Sequence, residues 1–247
     1  NLGFDKKNMN KAIDDSLKRL QTDYIDLYQL HWLERKVPLF GQLDFKYDPH
    51  DSDWTIVEEV LDSLNELIKL GKIRYIGLSN ETPWGVMQFL QISKEKNLPR
   101  MISIQNVYNL VNRIFDIANS EVSLRENCGL LAYSPLAGGR LSGKYMHHKK
   151  PKNARYTLWP SRFSRHHTKR GEIAISKYVA LAKKYNIPPS TFANAYVNDR
   201  PFVTSNIVGA TTIDQLKEDI NSINITLSTE MLDEITNIHL FDPNPCV

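Results

Sequence analysis

The chain has 247 residues, 41% hydrophobic and 24% charged, enough apolar material for one large core or two small ones. Its 31 basic and 28 acidic residues leave a net charge of +3, too balanced for the one-sided field that draws a protein onto nucleic acid. Cys128 and Cys246 give neither a metal spacing nor a disulfide framework, and no apolar run nears the roughly 20 residues that cross a bilayer, so a reducing cytoplasm is the expected setting.

Met9, Ile13, Leu17 and Leu20 recur at helical spacing and predict a helix over 8–20, followed by the strand YIDLYQLH over 24–31. Residues 39–47, LFGQLDFKY, alternate weakly but include Gly41 and precede no helix, which predicts a loop hairpin at best. Thr55 with Glu58 three residues on reads as a capping box; Ile56, Val60, Leu64, Leu67 and Ile68 then run up to the helix stop Gly71. The strand KIRYIGLSN at 72–80 leads to Thr82-Pro83, which opens a third helix ending near Asn97. MISIQNVYN predicts a strand over 101–109, and a short helix near 117–127 leads to GLLAYSPLAGG at 129–139. Helices near 170–185 and 190–199 precede the strand TSNIVGAT at 204–211, after which TIDQLKEDINSI returns to helix.

Strands that each lead into a helix describe repeated βα units and a parallel sheet. An open nucleotide-binding sheet would show a G-x-G-x-x-G turn after its first strand; none occurs, and a (β/α)8 barrel is the expected architecture. In a barrel the chemistry sits at the carboxyl ends of the strands, where this chain places His31, Ser79-Asn80, Gln105-Asn106, Ser134, and Gly209 with Thr211. Each residue also has a plainer role. His31 suits a hydrogen-bonded core histidine, Ser79-Asn80 a turn, Gln105 a partner for a neighbouring carbonyl, and Tyr133 core packing. The basic clusters HHKKPK at 147–152 and RHHTKR at 165–170 read as solvated loop, with histidines too irregular for zinc. Trp32 and Trp54 either line an apolar pocket or pack.

The segments DLYQLHW, GKIRYIGLSN, IQNVYNLVNR, AYSPLAGGRLSGKY and IVGATTIDQLKEDI resemble, in order and spacing, the aldo-keto reductase family over residues 8 to 240, especially its bacterial Tas-like branch, related to the potassium-channel β-subunits. The resemblance implies a (β/α)8 TIM barrel that reduces small-molecule carbonyl substrates with NADPH, NADH being less favoured, without a metal. It implies a catalytic set of aspartate, tyrosine, lysine and histidine, in which His31 matches the histidine that orients the carbonyl and assists proton transfer. Ser79, Asn80 and Gln105 match positions near the nicotinamide carboxamide, and Tyr133 the aromatic platform under the ring. Ser134, Leu136, Gly138 and Lys144 match the segment over the pyrophosphate, with Arg162 as a further phosphate contact in a clamp loop over 137–169. Gly209, Thr211, Gln215, Glu218 and Asp219 match the adenosine-phosphate site, the 2′-phosphate meeting the helix start led by Thr212. Where many members carry arginine or lysine, Thr211, Thr212 and Gln215 offer hydroxyls and an amide. Asp219 replaces the usual asparagine and cannot donate.

Five strands against the eight of a barrel lead to the expectation that residues 1–247 are one N-terminally incomplete barrel domain. The catalytic aspartate, tyrosine and lysine would then lie upstream; the alternative is strands hidden within 33–54 or 137–169. Two functions follow: an NADPH-dependent reductase, or a non-catalytic nucleotide-binding regulatory subunit resembling the channel β-subunits. No nucleic-acid or membrane partner is expected.

Overall fold

The computed structural model describes residues 3–161 and 164–246. The chain forms two compact units, Asn1–Pro38 with Asp44–Asn106 and Ala118–Leu130, and Leu39–Leu43 with Val107–Ile117 and Leu131–Val247.

In the first unit, α1 (Lys6–Leu20) starts two residues earlier than its apolar spacing suggests. Asp5 caps it, accepting from the N–H groups of Lys7 and Asn8. Then come β1 (Ile25–Leu30), α2 (Val57–Lys69), β2 (Ile73–Ser79), α3 (Pro83–Lys96), β3 (Met101–Gln105), α4 (Asn119–Arg125) and the start of β4 (Gly129–Tyr133). The strands pair parallel, β1 with β2, β2 with β3 and β3 with β4. Alternate burial of α2 sets the core: Val60, Leu61, Leu64 and Leu67 are essentially inaccessible, and the helix packs on β2 and α3. Each such side chain stabilises by about 1.5–3 kcal/mol.

The expected capping box at Thr55 is not made. The Thr55 N–H donates to the Glu34 carboxylate at 2.8 Å, the chain stays extended through Ile56, and the helix begins at Val57. Glu58 instead pairs with Lys96 of α3 at 3.0 Å. Thr82 behaves as read, capping α3 through the Gly85 N–H with Pro83 in the first turn. Residues 39–47 contain no strand.

The second unit takes up the end of β4 and, after single 3-10 turns, α5 (Arg155–Leu158), α6 (Lys169–Lys184), α7 (Pro189–Asn198), β5 (Val203–Ile207), α8 (Ile213–Asn221) and α9 (Thr229–Phe241). The end of β4 neighbours β5 in the sheet. α7 is buried along nearly its whole length because α6, α8 and β5 all pack against it. The segment 137–169, read as open loop, holds 3-10 turns and α5. The chain continues beyond the predicted elements into α9, capped by Ser228, whose apolar positions Met231, Leu232, Ile235 and Ile238 recur at helical spacing and of which Ile235 is fully buried. The last predicted strand ends early, at Ile207, leaving Gly209 and Thr211 in the exposed connection to α8.

Candidate active site

The first unit gathers four of the expected residues. His31 follows β1, Ser79 ends β2, Asn80 follows it, and Gln105 ends β3. The parallel register sets Ser79 opposite Gln105. The Gln105 carbonyl accepts from the Ser79 hydroxyl at 2.8 Å and from the Asn80 N–H at 3.0 Å. Asn80 turns the chain with φ +58°, a left-handed conformation asparagine tolerates. Its side-chain amide donates to the His31 carbonyl at 2.9 Å and to the Ser79 hydroxyl at 3.2 Å. The His31 backbone is thereby tied to the end of β2. Its imidazole is exposed and stacks on Trp32 with centroids 4.9 Å apart, which removes the core-histidine reading.

Two supports of this cluster escaped the sequence. Gln105 donates to the side-chain carbonyl of Gln29 at 2.9 Å, a bond that spans β2 at Gly77. A Cβ on Gly77 would crowd the Ser103 hydroxyl and stand 3.1 Å from the Ser103 backbone carbonyl oxygen, so Ser103 on β3 leaves little room for a side chain at this point of β2. Glu81, 4% exposed, pairs with Arg35, whose guanidinium lies 4.9 Å from the Trp84 ring centroid and 5.9 Å from that of Trp54. The same carboxylate accepts from the Thr82 N–H at 2.7 Å, and Asn106 closes both ways on the Glu81 backbone. Arg35 and Glu81 thus hold the segment after His31 beside the end of β2. Trp32 and Trp54 border a cavity of only about 10 Å³, so packing is their role there.

The second unit gathers the remaining described positions. Tyr133 ends β4 half-buried; burial pushes its phenol above the ordinary range, opposed by the nearby Arg165 guanidinium, to which it is hydrogen-bonded. Ser134 takes φ +58°, and its carbonyl accepts from the fully buried Asn109 at 3.0 Å. Leu136 leads into Ala137, Gly138 and Gly139, consecutive residues at φ +48°, +68° and +95°. A Cβ on Gly138 would lie 2.2 Å from the Tyr156 hydroxyl. Lys144 lies against Gly139. Burial lowers its pKa first, then the Arg155 cation, while the Asp219 carboxylate opposes both. A desolvated ammonium beside a second cation is a setting that a phosphate would relieve. On this count the surroundings of Lys144 fit an anionic group, such as the phosphates of a dinucleotide.

α8 has the expected Thr212 cap, whose hydroxyl accepts from the Gln215 N–H at 3.2 Å. The Gln215 carbonyl oxygen accepts from the Thr211 N–H at 2.9 Å and its hydroxyl at 3.0 Å, fastening the connection to the helix. Glu218 accepts from the Ser190 hydroxyl at 2.5 Å. The buried Asp219 accepts from Asn194 at 2.8 Å, and desolvation raises its pKa. Asp214 also lies in the first turn of α8, where its carboxylate shares the helix N-terminus with the Thr212 cap. Arg162 lies outside the described residues. The cluster at 165–170 is only partly solvated: His166 is buried.

With these positions established, the comparison with known families is decisive: the Aldo/keto reductase family model matches residues 1–239. The chain belongs to the aldo/keto reductase family. It is 46% identical over 236 residues to Protein tas of Escherichia coli (strain K12), covering 96% of this chain and 68% of that protein. It is 40% identical over 248 residues to an aldo-keto reductase of Babesia bovis, covering 95% of this chain and 87% of that protein. The Uncharacterized oxidoreductase YrpG of Bacillus subtilis (strain 168) is 27% identical over 236 residues, covering 96% of this chain and 65% of that protein. The Tas-like resemblance is borne out, and membership implies a (β/α)8 barrel. The family match does not show the expected missing upstream part, and five strands among the described residues do not establish a five-unit barrel. Among the described residues, no helix is long and apolar enough to cross a membrane.

Proposed function

We propose that this family oxidoreductase is a cytoplasmic carbonyl reductase that takes NADPH in preference to NADH and converts aldehydes or ketones to alcohols. The observation that carries this reading is the hydrogen-bonded set of His31, Ser79, Asn80 and Gln105 at the carboxyl ends of neighbouring parallel strands, in a chain of this family. When bound, the cofactor supplies hydride to the carbonyl carbon. Ser79, Asn80 and Gln105 would orient the nicotinamide carboxamide through fixed donors and acceptors, and Tyr133 would carry the ring face. Ser134, Leu136 and Gly138 would let the backbone approach the pyrophosphate, with Lys144 offsetting its charge. Gly209, Thr211, Gln215, Glu218 and Asp219 would border the adenosine end. His31 would orient the substrate oxygen and assist proton movement there, its backbone held still by Asn80 while its ring stays accessible.

The test is nucleotide consumption with 4-nitrobenzaldehyde, NADPH against NADH, by the chain as it stands and by a version joined to a segment that supplies the expected catalytic aspartate, tyrosine and lysine. Consumption of NADPH, faster than of NADH, is expected. Oxidation of neither nucleotide with a panel of aromatic and aliphatic aldehydes and ketones would overturn the reading. If tryptophan fluorescence were still quenched by nucleotide in that case, the non-catalytic regulatory subunit would take its place.

A further inference from the structure

The turn over Ala137–Gly139 is held by side chains outside the matched motif. Ala137 takes φ +48°, which a residue with a Cβ adopts only against a steric penalty. Something must hold it there. The Tyr156 hydroxyl lies 3.3 Å from the Ala137 carbonyl and 2.5 Å from His166 Nδ1. Arg165 Nε lies 3.4 Å from His166 Nε2.

The directions of these bonds follow from the donors available. A guanidinium only donates, so Nε2 of His166 accepts. A neutral imidazole then carries its proton on Nδ1 and donates to the Tyr156 oxygen, leaving the tyrosine proton for the Ala137 carbonyl. Every donor finds one acceptor, and the chain has one polarity from Arg165 to Ala137. Burial keeps both middle members neutral, pushing His166 down to about 3 and Tyr156 up to about 12. At its outer end, Arg165 lies over the Phe40 ring, 4.5 Å from its centroid, and reaches the Tyr133 phenol.

We propose that Tyr156 and His166 are positioning residues for the cofactor: the Arg165–His166–Tyr156 chain grips the Ala137 carbonyl and so holds the Ala137–Gly139 turn in the shape that meets the dinucleotide phosphates. The assignment rests on the proposed reductase reading, in which that turn covers the pyrophosphate. No atom of Tyr156 or His166 need touch the nucleotide.

Two measurements test it. The first is hydrogen exchange of residues 137–143 in cofactor-free protein. Tyr156→Phe, which keeps the ring, and His166→Leu are expected to exchange about three- to tenfold faster than wild type, the effect of one lost hydrogen bond. His166→Asn, whose side-chain amide can donate from the place of Nδ1, is expected to stay near wild type. The second is the rate of NADPH release followed by its fluorescence, expected to rise about three- to tenfold in Tyr156→Phe and His166→Leu and again to be rescued in His166→Asn. Exchange unchanged in Tyr156→Phe overturns the grip on the turn. Exchange that quickens while NADPH release does not overturns the cofactor role. Failure of the wild type to bind NADPH overturns the reductase reading, and the exchange result still stands apart from it.

Discussion

The two units organise their candidate residues by different means. In the first, His31, Asn80 and Gln105 sit at strand ends, and their separations follow from the parallel register of β1, β2 and β3. Neutral amides link them, with one buried ion pair, Arg35–Glu81, beside them. In the second, the equivalent work falls to left-handed backbone at Ser134 and Ala137–Gly139 and to a chain that runs from the Arg165 cation through neutral His166 and Tyr156 to Ala137. A strand end inherits its position from the sheet, whereas a turn needs partners of its own. Damage to the first unit should therefore register as lost folding or chemistry, and damage to the second as altered nucleotide handling.

The sharpest way to break that contrast is Glu81→Ala. It strands a buried guanidinium and should destabilise by about 3–5 kcal/mol in urea unfolding; a loss below about 1 kcal/mol would mean that Arg35 rehydrates and the pair holds nothing. Next, His31→Ala should lower kcat/KM about a hundredfold with NADPH affinity nearly unchanged. A fall in affinity without a fall in turnover would remove its catalytic role. A third effect is a pH dependence in the second unit. His166 is neutral in the folded state down to about pH 3, because burial and then the cations Arg165 and Arg140, with His167 and Arg155, disfavour its charge. Unfolded histidine protonates below about 6.5, so in that window the unfolded chain binds more protons. The contribution is fully present above about pH 6.5 and is lost as pH falls towards 3, by up to about 1.4 kcal/mol per pH unit. Wild type should lose stability more steeply than His166→Asn between pH 6.5 and 5; parallel curves would refute it. The smallest effect belongs to Thr212→Ala, about 1 kcal/mol from the lost cap of α8, read as a shift in thermal midpoint.

Much of the site was readable in advance where the signal is local. Ser79, Asn80 and Gln105 stand at strand ends as expected, because β-branched and apolar runs ending in small polar residues mark those ends within a few positions. The caps Thr82 and Thr212 are likewise local, a hydroxyl meeting an N–H three residues on. Thr55 failed by the same logic: its sequence context is equally good, but Glu34, 21 residues earlier, claims its N–H.

From the sequence alone, then, came the alternation of strand and helix, the polar strand ends and the family motifs that name the candidate residues, since periodicity and capping act over one or two turns of chain. Only the folded chain decided that Gln29 reaches Gln105 across Gly77, that Arg35 reaches Glu81, and that Tyr156 and His166 close on Ala137. Gln29 and Gln105 are 76 residues apart, Arg35 and Glu81 46, and Tyr156 and Ala137 19. Nothing in the intervening sequence encodes such pairings; they arise because folding removes water from these groups and leaves each buried donor no partner but the acceptor that packing brings to it.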